Sequence, residues 1–150
     1  MRTHMLRAAF TLCAVASLAA ATGPVSSAST AAETARRAPR PVLVDCLWHP
    51  EVRPADFILA CGDGNSRLTS LHWKRWDAKA AVGKGINAVN DCKPYCAAGR
   101  FHSYAVTVRL DEPRPWKKHP RTQHYTRMTL TYTDGRPSGF PRVVTYPLWD

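Results

Sequence analysis

From Pro41 onward no apolar stretch keeps a helical period for more than about two turns before Gly, Pro, Asn or Asp interrupts it, a punctuation that points to short strands. The runs between these breaks are rich in aromatic and branched residues. Val42 to Trp48 and Phe57 to Cys61 are nearly continuously apolar, the pattern of strands covered on both faces. Gly62-Asp63-Gly64-Asn65 offers residues that tolerate positive φ, and Leu68 to Trp73 follows with alternating character, so this region is a candidate hairpin. In the run from Phe101, His102, Tyr104, Val106, Val108 and Leu110 share one face, and Ser103, Thr107 and Arg109 the other: a half-buried strand. Met128, Leu130 and Tyr132 alternate with Arg127, Thr129, Thr131 and Thr133 before Asp134-Gly135 turns the chain toward Val143 to Trp149, which predicts a terminal hairpin. The best helix candidate is Trp76 to Val82, where Ala and Lys favour helix until Gly83 ends it. The expectation is an all-β domain over residues 41–150, a small antiparallel sandwich or barrel-like fold with at most one short helix.

The cysteines add to this frame. Cys46, Cys61, Cys92 and Cys96 form an even set in a short chain, which reads as two disulfides with three possible connectivities. A zinc site competes poorly, because only Cys92 and Cys96 are close in sequence. If Val42 to Trp48 pairs antiparallel with Phe57 to Cys61 through a turn near Arg53-Pro54, then Cys46 faces Cys61 and Trp48 faces Leu59. Opposed residues at a non-hydrogen-bonded site have Cα atoms about 4.5 Å apart, within the range a disulfide accepts. Pro94 sits centrally in Cys92-Lys93-Pro94-Tyr95-Cys96 and favours a local turn. The predicted pairs are therefore Cys46 with Cys61 and Cys92 with Cys96, against two crossed arrangements.

The first residues read as a targeting segment. Arg2 and Arg7 precede a charge-free apolar or small run from Ala8 to Ala21, the layout of a secretory signal peptide. As a helix that run is roughly 21 Å long, short of the ~30 Å a membrane span requires. Cleavage fits either Ala21 or Ala28, since both follow small residues. Cys13 follows Leu12 inside the apolar run and is not placed for lipidation, and Arg2 and Arg7 are not adjacent, so a twin-arginine route has no support. Residues 1–28 are read as the signal peptide and 29–40 as a flexible leader, too poor in apolar residues to offset the entropy of ordering. Secretion to the extracellular space is the expected localisation.

The chain carries 21 Lys+Arg against 11 Asp+Glu, a formal net charge of +10. Loss of residues 1–28 removes only Arg2 and Arg7 and leaves +8. Outside the cell such a protein meets anionic wall polymers and other secreted proteins, and a positive surface attracts the former with little specificity. The densest basic stretch is Arg114-Pro115-Trp116-Lys117-Lys118-His119-Pro120-Arg121. Its prolines predict a loop outside the sheet, and Arg114, Trp116, Lys117, Lys118 and Arg121 are the prime anion-binding candidates. Lys74 and Arg75, between Trp73 and Trp76, join them, with the two indoles read as core.

Other motifs carry less. Asp63-Gly64-Asn65 has the start of a calcium loop without its later ligands, so it reads as a turn. Gly83-Lys84-Gly85 lacks the spacing and the Lys-Ser/Thr of a phosphate loop and also reads as a turn, so no cofactor is indicated. No motif for sequence-specific nucleic-acid recognition appears. Asp91 and His102 are available as orienter and general base, yet no serine or cysteine lies in a nucleophile signature, and no catalytic residue is assigned.

At Asp45-Cys46, Cys61-Gly62-Asp63-Gly64, Trp73-Lys74-Arg75-Trp76, Gly83-Lys84-Gly85 and Asn90-Asp91-Cys92-Lys93-Pro94-Tyr95-Cys96-Ala97, the chain resembles small secreted proteins of actinobacteria. The resemblance spans roughly residues 41–112. It implies localisation and a cysteine framework and no activity. The leading functional expectation is an extracellular binding module for anionic envelope polymers. A secreted protease inhibitor, using the Cys46 to Cys61 stretch, and a small extracellular hydrolase are the alternatives.

Overall fold

The structure, a computed structural model, describes residues 40–149; the expected signal peptide, and the expected leader except Arg40, lie outside the described residues. Two strands, β1 (Leu43–Val44) and β2 (Pro50–Glu51), form a small sheet of their own. The main sheet is a six-stranded meander in sequence order: β3 (Phe57–Ile58), β4 (Ser66–Trp76), β5 (Ala81–Asn90), β6 (Phe101–Trp116), β7 (His119–Asp134) and β8 (Val143–Pro147). Every neighbouring pair is antiparallel. The helical content is one 3₁₀ turn, Cys96–Ala98. The all-β expectation and both predicted disulfides, Cys46–Cys61 and Cys92–Cys96, hold.

The alternation in β6 and β7 builds the core. Val106, Val108 and Leu110 lie opposite Tyr132, Leu130 and Met128, all six buried, while Thr107 and Arg109 face outward opposite Thr131 and Thr129. Each such aliphatic side chain contributes about 1.5–3 kcal/mol by leaving water. The sheet curls over this face into a half-barrel whose edges meet through side chains: Phe57 of β3 stacks on Trp149, beyond β8, with centroids 6.2 Å apart. The predicted terminal hairpin is the β7–β8 pair, with Thr129 opposite Thr145. The Gly62–Asn65 turn joins β3 to β4, with Gly64 at φ 69° and Asp63 Oδ1 accepting from Asn65 N.

Four expectations need correction. Val42 to Trp48 does not pair with Phe57 to Cys61: β1 folds onto β2 and β3 onto β4. The chain reverses earlier because Asp45 Oδ1 accepts from Leu47 N and His49 N, at 2.8 and 2.6 Å, and Trp48 turns at φ 67°. Cys46 and Cys61 meet all the same, Cα atoms 5.4 Å apart, from segments flanking the short strands. Trp76 to Val82 is no helix. Asp77 Oδ1 accepts from Lys79 N and Ala80 N, an Asx turn that sends β4 into β5.

Gly83-Lys84-Gly85 is the middle of β5 and not a turn. β4 is irregular opposite it, with Ser70 at φ 53° and register shifts on both sides of His72 and Trp73. A Cβ on Gly83 would stand 2.9 Å from both His72 O and the Trp73 ring, and one on Gly85 2.9 Å from Thr69 O. Glycine here permits close backbone approach, a signal that a sequence does not separate from a turn. The fourth correction concerns residues 114–121, which lie in strands of the sheet except for the turn at Lys117 and Lys118.

Candidate anion-binding surface

β6 and β7 outrun their neighbours. β5 begins at Ala81, opposite Leu110, and β8 ends at Pro147, opposite Arg127. Past these points β6 and β7 continue as a two-stranded ribbon that turns at Lys117-Lys118, so the expected loop is an ordered hairpin tip. Pro113 and Pro115 fit because the ribbon leaves them an empty edge, and Pro120 lies in the irregular stretch between His119 and Gln123. Tyr125 N donates to Val42 O, and Gln123 O accepts from Val42 N, so β7 spends these groups away from β6. Pro113 and Pro115, opposite Tyr125 and Gln123, therefore have no ladder N–H to supply.

This geometry removes one predicted contact residue. Trp116 is 1% exposed and packs on Val42 and Val44, with its ring 4.5 Å from that of His119. It anchors the ribbon and does not touch solvent. The remaining candidates Arg114, Lys117, Lys118 and Arg121 are exposed around it. The aromatic that does reach the surface beside them is Trp48, 40% exposed, with Lys118 Nζ 3.7 Å from its ring centroid. Nothing local in the sequence separates Trp48 from a core tryptophan, since the contact joins distant segments.

Lys74 and Arg75 come to the same end of the sheet. β4 and β6 run in the same direction in the meander, so the β4–β5 turn and the β6–β7 tip share one end, and Tyr125 Oη donates to Asp77 O at 2.6 Å between them. Lys79, within the stretch first read as helix, is exposed on that turn as well. Three carboxylates there are engaged. Asp77 accepts from the turn amides and meets Arg75 Nε at 3.3 Å, and the Ala80 and Lys79 amides hold its carboxyl below the ordinary range. Asp111 takes Arg127 Nε at 2.7 Å and Arg109 Nε at 2.8 Å, its carboxyl lowered first by the Arg127 hydrogen bond. Glu112 takes Arg127 Nη1 at 2.6 Å. Among the described residues, Lys74, Arg114 and Arg121 have no carboxylate partner. Cations gathered at one end of a sheet act together on a polyanion.

No family model matches the chain, and no curated protein and no solved structure does either. The site therefore stands on its own geometry.

The Asp91 and His102 pair lies at the other end of the sheet. His102 Nε2 is 2.9 Å from Asp91 Oδ2, and the side chains are 48% and 28% exposed. Asp91 Oδ1 also accepts from Lys93 N and Arg100 N, and no hydroxyl or thiol bonds the imidazole among the described residues. Among the described residues no group of three or more His, Cys, Asp or Glu could hold a metal ion, and the four cysteines are spent in disulfides. No described helix is long and apolar enough to cross a membrane.

Proposed function

We propose that this chain is a secreted binding module that engages anionic envelope polymers through the basic end of its sheet. The single observation that carries the reading is the gathering of the β4–β5 turn cations and the β6–β7 tip cations at one end where Asp77, Asp111 and Glu112 are each already paired with an arginine. Export is supported by the Arg2 and Arg7 apolar leader and by two disulfides, which persist in oxidising surroundings. A hydrolase has one observation on its side, the Asp91–His102 pair in a cleft. A protease inhibitor has the exposed Leu47 in the disulfide-closed loop.

Retention on purified cell wall, with and without its anionic polymer, across a salt series tests the proposal. Retention should need the polymer, weaken with salt, and lose about one unit of logarithmic salt slope per contacting cation neutralised. Retention on stripped wall, or a slope unmoved by joint Arg114→Gln, Lys117→Gln, Lys118→Gln and Arg121→Gln, overturns it.

A further inference from the structure

At the end of the sheet opposite the cations, a cleft of about 570 Å³ opens between the disulfide loop after β5 and the connection from β7 to β8. Asp91, Lys93 and His102 line one side, Tyr104 the floor, and Ser138 and Phe140 the other side. Both walls are built. On the first, Asn90 Nδ2 donates to Asn65 Oδ1 and Cys96 O, Asn90 Oδ1 accepts from Cys92 N, and the Cys92–Cys96 bridge closes the turn. On the second, Arg136 Nε donates to Phe140 O. The Tyr104 and Phe140 rings both meet Tyr132 edge to face, at 6.2 and 6.5 Å, and the Tyr132 hydroxyl donates to the buried Asn87.

The polar groups in this cleft are unevenly spent. The acceptors are engaged: Asp91 by two backbone amides and His102, and the Asn90 oxygen by Cys92 N. The Lys93 ammonium and the Tyr104 and Ser138 hydroxyls have no partner among the described residues. All three can donate a hydrogen bond. What is left for a ligand is a set of donors beside two aromatic rings, in a concave site of ligand size.

We infer that this cleft binds a small organic anion, an acid group held by Lys93, Tyr104 and Ser138 with a flat apolar body against Phe140 and Tyr104. The site is separate from the polymer-binding end and does not depend on that reading. Benzoate is a suitable probe, with benzamide and benzylammonium as neutral and cationic counterparts of the same shape. In a ¹H–¹⁵N NMR titration of the oxidised protein, benzoate should shift amides of residues 91–93, 102–104, 136 and 138–140 saturably. Benzamide and benzylammonium should shift them little. Lys93→Gln changes an exposed side chain and should weaken benzoate about tenfold, the usual worth of a charge-assisted hydrogen bond. Arg114→Gln with Arg121→Gln should leave the titration unchanged. Equal or stronger shifts with benzylammonium, shifts confined to the basic end, or indifference to Lys93→Gln would overturn the inference.

Discussion

Lys118 Nζ stands 3.7 Å from the centroid of the Trp48 ring, so the tip of the β6–β7 ribbon is tied to the loop closed by Cys46–Cys61. A partly exposed cation over an indole contributes about 0.5–1 kcal/mol. A polyanion that recruits Lys118 acts on this contact too, which makes Trp48 a reporter of binding. Trp48→Phe should keep the fold and abolish most of the polymer-induced change in tryptophan emission. An undiminished change in that variant would place the responding indole elsewhere.

Trp116 and its exposed neighbours should respond in opposite ways. Trp116 is fully packed against Val42 and Val44, so Trp116→Ala should cost about 3–5 kcal/mol in denaturant unfolding. Arg114→Gln and Arg121→Gln remove exposed groups with no carboxylate partner and should change stability by no more than about 0.5 kcal/mol. Equal stability losses from the tryptophan and the arginines would mean that the ribbon is not anchored through Trp116.

The contrast between these residues also explains what the sequence could say. Alternation made β6 and β7 legible, because period two leaves a mark wherever one face is buried, as at Val106, Val108 and Leu110. Cys92–Cys96 followed from the local turn at Pro94, whereas Cys46–Cys61 holds although the strand pairing used to reach it was wrong. Trp116 was misplaced because Pro115 and Pro120 argue against a strand only in a regular ladder with both edges occupied; here Pro115 faces an open edge and Pro120 lies in the irregular stretch between His119 and Gln123. Which cations share an end depends on the meander order, and Trp48 beside Lys118 depends on a contact between segments far apart. Neither leaves a local trace.

Gly99 should be nearly irreplaceable. A Cβ there would overlap the Asn90 side-chain oxygen and stand 2.8 Å from Cys92 N, the two partners whose hydrogen bond organises the disulfide turn. Gly99→Ala must displace Asn90 and with it the donations to Asn65 and Cys96. The expected cost is about 1–3 kcal/mol, with faster amide exchange through residues 90–100. Unchanged exchange there would show that the turn does not rely on Asn90.

The same turn should make the protein sensitive to acid. Asp91 is held by the Arg100 amide at 2.9 Å, the His102 imidazole at 2.9 Å and the Lys93 amide at 3.1 Å, and these bring its carboxyl down to about 2 from 3.8. Between those values the unfolded chain takes up a proton that the folded chain refuses. Stability therefore falls as pH drops through that window, and the contribution is complete above it and lost below it. Asp63, Asp77 and Asp111 are shifted in the same direction, so the wild type loses stability through all four. Asp91→Asn keeps an oxygen for the two amides and removes the titration. Wild type should melt higher than this variant at about pH 5, and the gap should close toward pH ~2 as the wild-type carboxyl protonates. A gap that stays constant across the window would mean that Asp91 titrates alike in both states, and that its hydrogen bonds do not favour the ionised form.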